Sequence, residues 1–303
     1  MPGLTHQRHN QLVLVVGQLL SGVGVASGIS VGGILAAQLA GTTAASGFVQ
    51  TASTLGAGLV AVPLANLAIR AGRRWALSAG FALGATGAAI VLLAAAVGQF
   101  WMMAVGMLLF GAASASGLQA RYAAVDGAAP EKAGRAMAIV IWATTIGSVA
   151  GPNLSEPGRL LGISIGIVPL SGPFIFSLIA FITASLVIAV FFLGTPASHK
   201  PTLRRIPTRK IGAWAALHLA SGNPNALFAM ASVTGGHMIM VGVMVMTPVA
   251  MNAHGHSLQI IGIVISLHIL GMYAASPLFG WLVDKVGARR VVMLGCGIFL
   301  TAI

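Results

Sequence analysis

Long apolar runs, each broken by a short polar stretch, follow one another along the whole chain. A helix needs about 20 mainly apolar residues to cross the hydrocarbon core of a bilayer. Runs of that length fall at 12–38, 46–68, 75–96, 101–123, 134–152, 171–193, 225–250 and 258–282, and a ninth opens at Val291 and runs to Ile303. The first run is too long for the apolar core of a cleaved signal peptide and lacks a cleavage pattern, so it reads as a true span. The piece 160–170 is apolar but too short to cross, and reads as part of an external loop.

Composition agrees with the pattern. Hydrophobic residues make up 57 % of the 303 residues and charged residues 7 %, with a mean hydropathy of +0.95. A soluble domain carries roughly a quarter charged residues, so the class is a polytopic, all-α membrane protein with the lipid bilayer as its surroundings. Forty glycines suit helices packed backbone to backbone. The net charge of +12 would call for nucleic acid only on a water-soluble basic face, and here the basic residues lie between apolar runs. A single cysteine, Cys296, excludes a disulfide framework and a cysteine-based zinc site.

Charge also orients the chain. With the N-terminus in the cytoplasm, 14 of the 16 lysines and arginines fall on that side, leaving Arg159 outside and Arg121 at the inner end of a span. Trp75, Trp101 and Trp281 fall near interfaces, whereas Trp142 lies inside the fifth run. The polar, proline-containing stretch GTPASHKPTLRRIPTRK (194–210) separates six runs from the rest. The expected organisation is a six-span half at 1–193, a basic cytoplasmic linker at 194–212, and a partial second half at 213–303.

An internal repeat supports that division. LANLAIRAGRR (64–74) aligns with GWLVDKVGARR (280–290): Leu67 with Leu282, Ile69 with Asp284, Arg70 with Lys285, Gly72 with Gly287, at an offset of 215. Each copy follows the second span of its half, and parallel repeats of six spans mark one large class of secondary transporters. The second copy resembles the loop signature of the major facilitator superfamily. Gly280, Asp284, Lys285, Gly287, Arg289 and Arg290 supply its glycines, acid and bases. The resemblance implies a latch whose charge-assisted hydrogen bonds form in one conformation and break in another; a plain cytoplasmic anchor is the alternative. The first copy keeps Gly72, Arg73 and Arg74 but has Ile69 at the acidic position and Ala65 at the leading glycine.

GSVAGP (147–152) resembles the motif associated with antiporters in this superfamily, with Gly147 and Gly151 four residues apart on one helix face and Pro152 interrupting the backbone ladder. Close helix packing alone is the other reading. PEKAGRAMAI (130–139) resembles the entry to the fifth span of bacterial members, while GMLLFGAAS (106–114) lacks the basic residue many members carry in the fourth span. The resemblance implies a major-facilitator-like bundle: a six-span N-terminal half and about three spans of a C-terminal half. The chain then reads as a fragment of a twelve-span transporter, in a bacterial cytoplasmic membrane.

Ionisable residues within spans are costly and are default functional candidates. All four acids, Asp126, Glu131, Glu156 and Asp284, lie in loops or at span ends. His237 and His268 lie roughly 15–18 Å deep, near the midplane, and are candidates for binding substrate or relaying a coupling proton; a neutral imidazole bonded between helices is the alternative. Spans 1, 4 and 7 line the cavity in the superfamily, which makes Gln18 a candidate substrate contact. Gln119 reads as an interhelical hydrogen bond. Arg121 reads as a structural partner of Asp126 or Glu131, or else as a gating or anion-attracting residue. The run HMIMVGVMVM (237–246) offers thioethers of the kind copper(I) takes, but methionine also packs well in apolar helices, and no metal or cofactor is expected. No His-Glu-x-x-His helix and no Gly-x-Ser-Gly nucleophile is present, so no enzyme is expected. The reading is a secondary transporter exporting a small, amphipathic solute in exchange for protons. An importer, or a truncated non-transporting membrane protein, is the alternative.

Overall fold

The computed structural model describes residues 2–126, 133–193, 213–274, 278, 282 and 285–302. Among them the elements are α1 (Pro2–Ala40), α2 (Ala44–Ala71), α3 (Arg73–Val97), α4 (Phe100–Asp126), α5 (Ala133–Asn153), α6 (Ser155–Ser164), a 3₁₀ turn (Pro169–Ser171) and α7 (Pro173–Phe191). After the linker come α8 (Ala213–Ser221), α9 (Pro224–Ala253), α10 (Leu258–Ala274) and α11 (Ala288–Ala302). The basic linker lies outside the described residues.

Seven helices among the described residues are long and apolar enough to span a membrane, from His6–Ala40 to Pro224–Ala253, and they fall on the first seven runs. The eighth run holds the shorter apolar helix α10, and most of its remainder lies outside the described residues. Helix α1 starts ten residues before its apolar run, because polar residues such as His6, Arg8 and Asn10 continue the helix. Hydropathy marks lipid contact, and a helix need not end where lipid does. The piece 160–170, expected as loop, is the end of α6 and the start of the 3₁₀ turn.

The chain divides into two compact units, Met1–Pro196 with Met244–Gly271 and Ala197–Val243 with Met272–Ile303. In the first, α1 is the central helix, packed along α5 and α7, while α3 packs on α4 and α7 and α2 on α4. Lipid is as apolar as leucine, so helices in a membrane associate through close packing and polar contacts instead of apolar transfer. Small residues make that approach possible. A Cβ on Gly28 would come within 2.6 Å of the Phe110 ring, and one on Gly24 would strike the Phe181 ring. Phe110 lies 5.9 Å from Phe174 and 5.1 Å from Phe181 in edge-on contacts, and all three rings are fully buried. Between α3 and α4, Gly84 faces Ala113 and Gly87 meets the α4 backbone; between α2 and α4, Gly56 meets Leu108 O and Gly111 meets Ser53 O.

One end of this unit gathers the arginines. The last carbonyls of a helix lack intrahelical partners, and those of α7 are met by side chains. Arg74 Nε donates to Ala189 O at 2.6 Å, and His9 Nε2 lies 2.9 Å from Phe191 O. The Asn10 side-chain oxygen accepts from Leu193 N at 3.0 Å. The opposite end carries α6, where Arg159 grips Glu156 through two hydrogen bonds of 2.9 and 2.6 Å.

The hydrogen bond from Arg159 holds the Glu156 carboxyl below its ordinary value, partly offset by desolvation and reinforced by the arginine charge. A carboxyl with a depressed folded-state pKa contributes stability above its unfolded value and loses it as the pH falls through the folded one. The Glu156→Gln variant should therefore melt at a slightly lower temperature than the parent at neutral pH, with the difference closing under acid. A gap that persists in acid would assign the loss to something other than the ion pair.

Candidate functional site

The two copies of the internal repeat fold alike. Gly72 has φ +92° and Gly287 has φ +87°, a left-handed setting that glycine takes without steric cost. Each is a single-residue break between helices, and its carbonyl opens the next one: Ala76 N donates to Gly72 O at 3.3 Å and Val291 N to Gly287 O at 3.4 Å. Each turn also sets an arginine over an aromatic ring, Arg74 over Trp75 at 5.4 Å and Arg289 over Phe228 at 5.8 Å. Lys285, Arg289 and Arg290 are exposed. Gly280 and Asp284 lie outside the described residues.

The first copy finds its acid elsewhere. Ile69, at the acidic position, is exposed, and Arg73 Nε bonds to Asp126 at the end of α4 at 2.9 Å. That carboxylate, one of the two expected to pair with Arg121, is thus held by Arg73. Arg121 is half-buried on α4, and its buried Nε has no hydrogen-bond partner among the described residues; Glu131, the other acid expected to pair with it, lies outside them. An exposed pair such as Arg73–Asp126 contributes only ~0–1 kcal/mol to stability.

Gly147, Gly151 and Pro152 form a seam on two sides. A Cβ on Gly147 would meet Leu19 O, one on Gly151 would meet Val23 O at 2.9 Å, and one on Gly22 would meet Thr144 O at 2.6 Å. Glycines on both helices thus bring the α1 and α5 backbones together. On the other side, Gly262 of α10 sits against Pro152 O, where a Cβ would approach to 2.5 Å. One turn along α10, Ser266 donates to Val149 O at 2.8 Å and accepts from Asn153 Nδ2 at 2.7 Å. This clasp was missed at the sequence level, because one amide after a Gly-Pro looks like any helix end.

Gln18 is fully buried between α1, α4 and α5, donating to Gly117 O at 2.9 Å and Thr144 Oγ1 at 3.0 Å, with its Oε1 unpaired. Gln119 donates to Ala61 O at 3.2 Å, the interhelical bond expected of it. His268 is half-buried on α10, and its buried Nε2 has no hydrogen-bond partner among the described residues. His237 is exposed on α9, and the two histidines belong to different compact units.

Spanning helices packed through glycines, with sparse polar groups and tight basic glycine turns, define a polytopic helical membrane protein. The sequence profile of the Major Facilitator Superfamily matches residues 14–303, and the chain belongs to that superfamily. It is 36 % identical to the "Uncharacterized MFS-type transporter YdeG" of Bacillus subtilis over 284 residues, covering 93 % of this chain and 66 % of that protein. It is 34 % identical to YddS of the same organism, another MFS-type transporter, covering 98 % of this chain and 70 % of that one. The "Riboflavin transporter RfnT" of Brucella anthropi is 25 % identical over 97 % of this chain and 72 % of its own length. The chain thus spans about two thirds of these relatives' lengths. The superfamily is one of membrane transporters that handle small molecules, which sets this chain among transport proteins and not among enzyme families.

Two stability measurements test the seam. Gly147→Ala should destabilise by about 1–3 kcal/mol, the usual cost of overpacking, since the clash is with backbone. Asn153→Ala and Ser266→Ala should be coupled in a double-mutant cycle by about 0.6 kcal/mol, the average for interhelical bonds in membranes. Strict additivity would remove the clasp.

Proposed function

We propose that this protein works by alternating access and exports a small amphipathic solute in exchange for protons. It would sit in a bacterial cytoplasmic membrane with the N-terminus and the arginine end inside. The observation that carries the reading is the double seam of α5. The antiporter-like glycines set its backbone against α1, and its Pro152 end is clasped by α10 through bonds that a rocking motion can break and remake. The described acids lie at helix ends or in α6, which leaves His237 and His268 as the candidates to carry the proton; His268, whose buried Nε2 has no partner among the described residues, is the first to test. The amphipathic substrate class rests on the scarcity of charge in the spans, and the riboflavin transporter among the relatives makes riboflavin a first probe.

Arg121 favours a second reading, a proton- or anion-coupled importer. Its guanidinium, whose buried Nε has no partner among the described residues, is a fixed positive charge at the arginine end, able to attract an anion.

Everted membrane vesicles with an acidified lumen distinguish the two. Export predicts that ethidium or riboflavin accumulates in the lumen and leaks back when an uncoupler is added. A proton-coupled importer would instead drive solute out of the lumen, and a non-transporting protein would show no gradient-dependent movement. His268→Ala should abolish coupling or flatten its pH dependence, and His237→Ala serves as the parallel test. Transport with an unchanged pH profile in both variants would remove the histidines from the proton path.

A further inference from the structure

The turn between α9 and α10 is held in place along its backbone. Gly255 has φ +80°, Gly255 N donates to Asn252 O at 3.0 Å, and His256 N donates to Met251 O at 3.0 Å. A left-handed glycine with these two paired bonds is a common way to close a helix. Ser257 then opens α10, its Oγ accepting from Ile260 N at 3.4 Å and its carbonyl from Ile261 N at 3.1 Å. His254 and His256 flank the glycine and are exposed, as are Asn252, Ser257 and Gln259 around them. Gly262, one turn into α10, sits against Pro152 O at the end of α5, so this polar turn lies at the end of the first unit opposite the arginines.

His254 is prepared as a ligand. Its Nδ1 lies 2.7 Å from Ala250 O. A carbonyl oxygen only accepts, so Nδ1 carries the proton and the lone pair is on Nε2. Metal-bound histidines are oriented in this way, with the other ring N–H given to a carbonyl or carboxylate. The ring stands at the C-terminus of a 30-residue helix, whose partial negative charge favours a cation. Met251, half-buried, is three positions before His254 on the same helical face. The bond from His256 N to Met251 O brings the residue after the glycine back beside that methionine. One thioether and two imidazoles thus belong to a single helix end.

We propose that Met251, His254 and His256 form a surface site for copper(I). Thioether and imidazole are donors that suit this soft cation. Among the described residues no third histidine, cysteine or carboxylate joins the two histidines, so the third donor is the methionine and not a ligand that zinc would favour. The site uses neither His237 nor His268 and needs no proton exchange, so it stands or falls separately from export.

Silver(I), a soft monovalent cation that keeps its oxidation state in air, is the probe. It is titrated calorimetrically, in chloride-free buffer, into the whole purified chain carrying Cys296→Ser to remove the one thiol. The parent should take up one tightly bound silver ion. Met251→Leu, His254→Ala and His256→Ala should each weaken that binding by about tenfold or more, a loss that outer-shell changes alone can cause. Unchanged affinity in any of the three removes that residue from the site and overturns the proposal. Met251→Leu decides the metal class, because leucine keeps the packing and loses the sulfur. Nickel(II) that binds equally well with and without the Met251 sulfur, in a protein that takes no silver, would make this a two-imidazole site and overturn copper(I). X-ray absorption at the silver edge should show sulfur and nitrogen neighbours together. A shell of sulfur alone would place the ion on other methionines and overturn the site as well.

Discussion

Helices surrounded by lipid gain nothing from hiding apolar surface from water, so everything in the first unit depends on how closely α1 can be approached. Two of its faces are stripped of bulk. Gly24 and Gly28 admit the rings of Phe181, Phe110 and Phe174, and Gly22 lets the α5 backbone reach the α1 backbone, answered by Gly147 and Gly151 from the other side. With α1 thus fixed, α5 and α7 have fixed positions. The polar contacts are possible only because the backbones are this near: Ser27 to Gly151 O at 3.0 Å, Ser177 to Gly24 O at 2.7 Å, and Gln18 to Gly117 O at 2.9 Å.

Those contacts show how the membrane interior handles hydroxyls and amides. An unsatisfied polar group in hydrocarbon costs several kcal/mol, and side chains accordingly turn to carbonyls, or to each other as Ser30 and Ser155 do at 2.8 Å. The unpaired buried atoms among the described residues are few: Gln18 Oε1, Ser78 Oγ, Gln119 Oε1, Arg121 Nε and His268 Nε2. Three of the four residues singled out for substrate or proton contact belong to this set, which is where hydrogen-bonding capacity remains for something other than the fold.

What was legible in the sequence was local. Seven runs of apolar residues are seven spanning helices because length and hydropathy are properties of the segment itself. The repeat glycines at 72 and 287 adopt the same left-handed turn because the demand for positive φ is written at one position. What was not legible joins distant residues. Asp126 lies 53 positions from Arg73 and Ser266 lies 113 from Asn153, and neither pairing leaves a trace in spacing or composition. Gln18 was visible as a polar residue in a span, but only the packing shows it fully buried and bonded to two helices. The piece at 160–170 was read correctly as too short to cross; that it is largely helical follows from glycines and prolines meeting across a turn.

The clamp on the end of α7 also sets an order of events. His9 and Phe191 are 182 residues apart, and Asn10 and Leu193 are 183 apart. A chain emerging from the ribosome N-terminus first must carry its opening helix through the insertion of every other span of this unit's first segment before those bonds can form. The arginine end therefore stays open throughout synthesis of α2 to α6 and is closed by the last turn of α7. Completion of these six spans is thereby registered at one place, by residues of α1 meeting residues made more than 180 positions later.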